Sequence, residues 1–90
     1  MVRYFLILEG RVQGVGFRFY AQSNALKYSL TGFVRNMPNG TVELEVQGTE
    51  NNLQKFISVI REGNRFINVT DFSKKEVSLI QDEKKFRVIY

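Results

Sequence analysis

Glu9-Gly-Arg-Val-Gln-Gly-Val-Gly-Phe-Arg-Phe-Tyr20 (EGRVQGVGFRFY) is the point at which the chain changes its periodicity. Before it, Val2, Tyr4, Leu6 and Leu8 fall on one side of an alternating run, with Arg3, Phe5, Ile7 and Glu9 on the other, the period of two of a β-strand. After it, Phe17, Tyr20, Ala21, Ala25 and Tyr28 recur at helical spacing and predict a helix from about Phe17 to about Ser29. Between the two, three glycines in Gly10–Gly16 rule out extended regular structure and make a loop. Phe5 and Ile7 leave the second face of the strand unusually apolar. That implies either a central place in the sheet or a partner over part of its open face, and self-association is the minor expectation it raises.

The rest of the chain supplies a hairpin, a second helix and a less regular end. Gly32–Asn36 reads as a short strand, Met37-Pro38-Asn39-Gly40 as a turn, and Thr41–Gln47 as a strand alternating through Val42, Leu44 and Val46. Thr49 suits the N-cap of a helix whose apolar stripe is Leu53, Phe56, Ile57 and Ile60, and Gly63 stands where a left-handed stop belongs. Ile67–Val77 and Phe86–Tyr90 read as further strands, separated by the charged turn Asp82–Lys85. The order β-α-β-β-α-β, with the last element split, predicts an α+β sandwich: two helices packed on one face of a mostly antiparallel sheet. With 90 residues and no linker or repeat, one domain over 1–90 is expected.

Composition narrows the chemistry. Without cysteine there is no thiolate nucleophile, disulfide or Cys-type zinc site, and without histidine the commonest metal ligand and the usual neutral-pH base are both missing. No metal and no cofactor are therefore expected. The first residues alternate in polarity and carry Arg3, unlike a signal peptide or a membrane span, so a cytoplasmic address with no membrane partner is expected. A net charge of +4 favours anionic partners in general. The pairs Lys74-Lys75 and Lys84-Lys85 read as solvated surface rather than as a binding stripe.

A glycine-rich loop between a strand's carboxyl end and a helix's amino end can turn successive N–H groups inward, and the helix start adds unpaired donors with a partial positive charge. The loop Arg11, Val12, Gln13, Gly14, Val15, Gly16 and Phe17 is thus a candidate oxyanion cradle, with Arg11 the weakest member because it lies at the strand exit. Arg18 falls in the first helical turn, where side chains lean back over the loop, and its guanidinium fork matches phosphate. Taken alone, it is equally an exposed helix arginine. The patterns GxxxxGK[ST] and GxGxxG are both absent, the latter because Phe19 stands where a third glycine is required.

Asn36 is the second candidate. A right-handed β-α-β unit brings the first and second strands to the same sheet edge, about two strand spacings of ~4.8 Å apart. A carboxamide there can orient a water without ionising, although Asn36 serves equally well as the residue that opens the turn before Pro38.

GRVQGVGFR at Gly10–Arg18, TGFVRN at Thr31–Asn36 and NGTVE at Asn39–Glu43 together resemble the acylphosphatase signature in composition, order and spacing, and the likeness extends over essentially the whole chain. The resemblance implies a ferredoxin-like sandwich and hydrolysis of carboxyl-phosphate anhydrides. It implies further that Arg18 and the loop amides hold phosphate while Asn36 positions the attacking water. Inorganic phosphate or sulfate is then the expected site anion, an acyl phosphate the substrate, and a monomer the expected state. Phe33 stands where many members have tryptophan, Ser29 where glycine is frequent, and Asn64 where proline often follows Gly63. An RNA-binding module of the same topology is the competing class, but its aromatic motif belongs on central strands, whereas GVGFRFY forms a loop and helix start.

Overall fold

The computed structural model describes residues 1–90. Its elements are β1 (Val2–Arg11), α1 (Phe17–Lys27), β2 (Thr31–Asn36), β3 (Val42–Gly48), α2 (Glu50–Glu62), β4 (Asn68–Val77) and β5 (Phe86–Ile89). They form one five-stranded sheet in the order β4-β1-β3-β2-β5. The β1/β3, β1/β4 and β2/β3 pairs are antiparallel, and only β2/β5 is parallel. Both helices pack on one face, α1 over β2 and β5 and α2 over β3 and β4. No helix is long and apolar enough to cross a membrane.

Alternation decides which face is covered. Tyr4, Leu6 and Leu8 of β1, Val34 of β2 and Val42, Leu44 and Val46 of β3 are buried against Phe17, Ala21 and Ala25 of α1 and Leu53, Phe56, Ile57 and Ile60 of α2. Thr49 caps α2 as its sequence suggests, its side chain accepting from the Asn52 N–H, and Gly63 ends that helix at φ 69°. Asn64, in place of a proline, makes its own turn: Oδ1 accepts from the N–H groups of Phe66 and Ile67. Its own N–H, which proline lacks, donates to the Ile67 carbonyl.

Helix α1 stops two residues short of the expected Ser29. Ser29 N–H donates to the Leu26 carbonyl and Leu30 N–H to the Ala25 carbonyl, the paired bonds of a Schellman stop. This geometry forces Ser29 to φ 57°, a left-handed value that costs a residue bearing a Cβ. Leu30, just beyond it, is buried and fixes the turn to the core.

The apolar second face of β1 is explained by position: β1 is an interior strand, flanked by β3 and β4. One end of that face is closed by the chain itself. Residues 78–85 cross from the β4 edge to the β5 edge and cover Arg3, which is wholly buried. Its guanidinium donates to Glu45 at 2.6 Å, to Glu83 at 2.7 Å and to Gln47 at 3.2 Å. Gln47 in turn clamps the crossing segment, its Nε2 donating to the Ile80 carbonyl and its Oε1 accepting from the Ile80 N–H. Burial works against the charge of Arg3, but its two carboxylate partners outweigh that and raise its pKa. Glu83 shows the converse: burial opposes ionisation, yet hydrogen bonds from Arg3 and Thr31 hold its carboxyl below the usual range.

Two outcomes follow. Because the folded-state pKa of Glu83 is lowered, its ion pair contributes fully above the ordinary value near 4.5 and is lost as pH falls through the lowered one. Glu83→Gln is therefore expected to be less stable than wild type at neutral pH, and urea titrations at several pH values should show the gap closing on acidification. Ser29→Gly relieves the left-handed strain and is expected to raise stability by about 0.5–1 kcal/mol, read from the shift in urea midpoint.

Candidate active site

The loop between β1 and α1 is shaped by two left-handed glycines, Gly14 at φ 72° and Gly16 at φ 78°. A Cβ on either would meet nothing within 4 Å, so the backbone turn and not crowding is what calls for glycine. The space above the loop is open. None of the peptide N–H groups from Gln13 to Phe19 donates to a backbone carbonyl; the first to do so is that of Tyr20, to Gly16. Gly16 is the N-cap of α1 and supplies no side-chain acceptor, and no acidic residue occupies the first turn. The helix thus presents its positive end and its unpaired donors together, beside the cation Arg18, an arrangement that favours negative charge.

Gly14, Gly16, Phe17, Arg18 and Asn36 line one cleft of about 190 Å³. The sequence-predicted candidates Arg18 and Asn36 therefore meet. Asn36 is the last residue of β2, and its Oδ1 is buried without any hydrogen-bond partner from the protein. An orphaned buried acceptor is costly, about 1–3 kcal/mol, and rare in folded proteins. Val12 also borders the cleft while packing in the core. Gln13 and Val15 lie outside the lining: Val15 packs on the core, and Gln13 Nε2 donates to the carbonyls of Met37 and Thr41, both at 2.8 Å. That pair of bonds ties the loop to the hairpin turn that follows Asn36. Arg11 is exposed, paired through its backbone with Asn68 on β4, and not part of the cleft lining.

Sequence reasoning missed the opposite wall, formed by Phe19 and Gln22 of α1 together with Val88 and Tyr90. Gln22 stands four residues after Arg18, so helical spacing could have found it. Phe19 directly follows Arg18 in α1, whereas nothing local points to Val88 and Tyr90. They reach the site only because β5 lies beside β2, and from there the Ile89 carbonyl accepts from Arg18 Nη1 at 3.3 Å while the Tyr90 ring lies 4.9 Å from the guanidinium carbon. Both contacts fasten the Arg18 side chain to the β5 end of the cleft.

Fold and site define a class: ferredoxin-like α+β domains with a cleft where the first strand enters the first helix. Comparison with known proteins makes this specific. The sequence profile described as Acylphosphatase matches residues 4–88. An acylphosphatase of Clostridium acetobutylicum is 50% identical over 90 residues, covering 100% of this chain and 99% of that one. The crystal structure of acylphosphatase from Bacillus subtilis superposes with a TM-score of 0.94 at 41% identity, each chain fully covered. A segment amounting to 12% of HypF from T. kodakarensis also superposes on the whole chain, with a TM-score of 0.87 at 26% identity. The chain belongs to the acylphosphatase family, and it is an enzyme of that activity, hydrolysing acyl phosphates.

The tether between loop and turn is testable on its own. Gln13→Ala removes two hydrogen bonds but leaves the Met37 and Thr41 carbonyls their backbone donors, Gly40 and Met37. The expected loss is about 1–2 kcal/mol of unfolding free energy, measured by urea denaturation.

Proposed function

We propose that the phosphoryl group of an acyl phosphate sits in the cleft, held by the loop amides of Gln13–Phe19 and by Arg18, while Asn36 aims the attacking water. The observation that carries this reading is the convergence of Asn36, Arg18 and the loop's free N–H groups on one cleft, with the Asn36 carboxamide oxygen given no donor by the protein. A water donating to that oxygen would be fixed beside phosphorus. Attack forms the new P–O bond and breaks the bond between phosphorus and the acyl oxygen. The electron pair leaves with the carboxylate, and the water's proton passes to an oxygen of the phosphate itself. Because the leaving group is a stable anion, positioning and charge stabilisation can suffice without a side-chain acid. The acidic residues fit this division of labour. Glu43 and Glu45 are bound to Arg35 and Arg3 on the helix-free face, and Glu9 is not among the residues lining the cleft.

The proposal takes inorganic phosphate or sulfate as competing ligands and the enzyme as a cytoplasmic monomer. What supports the monomer is that Phe5 and Ile7 are half-buried within the sheet rather than forming a bare apolar patch. A nucleic-acid role is disfavoured by the placement of GVGFRFY, whose Phe17 is buried in the core.

In chelator-containing buffer, wild type is expected to cleave acetyl and benzoyl phosphate and to leave a simple phosphate monoester intact. Arg18→Ala should lose phosphate affinity and turnover together. Asn36→Ala should keep phosphate affinity, read as the inhibition constant of inorganic phosphate, and lose about 10²–10³ in kcat. A fully active Asn36→Ala enzyme would remove Asn36 from the mechanism.

A further inference from the structure

A second groove, of about 450 Å³, runs beside the cleft and shares Phe19 and Gln22 with it. Its size lies in the range of small-molecule sites and is more than twice that of the cleft. Leu26 and Phe86 contribute apolar wall, and Lys84 and Lys85 border it. The helix side of this groove is unusual. Phe19 and Leu26 are 73% and 80% exposed, although the opposite face of α1 is packed in the core. The charge is equally one-sided. Lys84 and Lys85 take part in none of the three ion pairs of the protein, no carboxylate lines the groove, and α1 contains no acidic residue.

The reaction geometry gives the groove a role. In an in-line displacement the leaving group departs on the side of phosphorus opposite the water. Asn36, Gly14 and Gly16 border the cleft but not the groove, while the groove opens from the α1 wall. An acyl group leaving away from Asn36 thus has an apolar channel with two unpaired cations along it.

We propose that this groove is the acyl subsite, and that the preferred substrates are acyl phosphates whose apolar acyl chain carries a second negative charge. The inference rests on the reaction proposed above. Phe19 and Leu26 cover the carbon chain; Lys84 and Lys85 attract its anionic end.

The test compares kcat/KM for acetyl phosphate, pentanoyl phosphate and glutaryl phosphate, the last two alike in carbon number and differing in the terminal carboxylate. Glutaryl phosphate is expected to exceed pentanoyl phosphate by about three- to tenfold at low ionic strength, with the ratio shrinking in high salt. The double variant Lys84→Gln, Lys85→Gln should abolish that ratio and leave acetyl phosphate unchanged. Leu26→Glu, at an exposed position, should reverse the ratio. Equal values for the two five-carbon substrates in wild type, or a preference that survives in the double variant, would overturn the subsite while leaving the reaction intact. Acetyl phosphate falling in step with glutaryl phosphate would also overturn it, by showing that the lysines serve the phosphoryl end. Failure of wild type to hydrolyse acetyl phosphate would overturn the reaction and the subsite together.

Discussion

A run of peptide N–H groups with nothing in the backbone to donate to, from Gln13 to Phe19, is the constraint around which the molecule is arranged. A helix start concentrates unpaired backbone donors, and these open on a cleft where only water or a ligand can accept from them. Two left-handed glycines create the run, Gly16 offers no side chain to cap it, and Arg18 adds a full positive charge where the helix already carries a partial one. The protein keeps this locally unfavourable feature because the rest of the fold holds it open. Phe17 and Val12 anchor the two ends of the loop in the core, and Gln13 fastens it to the neighbouring turn.

The sheet order then decides what faces the loop. With β3 inserted between β1 and β2, the two parallel strands end on one edge, which sets Asn36 across from the glycines. Strand β5 extends the same edge by pairing in parallel with β2, and brings the Ile89 carbonyl and Tyr90 to Arg18. That pairing requires the chain to travel from one edge of the sheet to the other, and the buried Arg3 is what receives the crossing segment. A charge wholly shielded from solvent is weak evidence for stability, but losing one partner of it is costly, so it penalises any other path for the segment.

Much of this was legible from local pattern. Alternation in β1 and β3, the 3.6-residue stripe of α2 with its Thr49 cap and Gly63 stop, and the strand-loop-helix switch at Gly10–Arg18 each need only neighbouring residues to be read. A handedness rule, which is a property of chains in general, predicts that the strand ends carrying the loop and Asn36 share one sheet edge, and the cleft follows from the fold. What local pattern could not carry was long-range: the side of the sheet on which β5 docks, the burial of Arg3 beneath a segment eighty positions away, and the cleft wall made by Val88 and Tyr90. Lys84 and Lys85, which look like ordinary solvated charges in sequence, acquire a neighbourhood only once β5 is in place. The early end of α1 was hidden for another reason: a Schellman stop is usually announced by glycine, and here a serine is forced into its conformation.

The parallel β2/β5 pair also has a consequence for timing. Gly32 and Phe86 are far apart in the chain, and contacts of that separation are slow to form because the loop entropy between them comes due first. The glycine loop and α1 can take shape early from their own neighbourhood, but the carbonyl and ring that steady Arg18 arrive only when the distant strand docks. On the proposed mechanism, a partly folded chain would hold a half-built receptor, and phosphate would select the finished molecule from the unfinished ones.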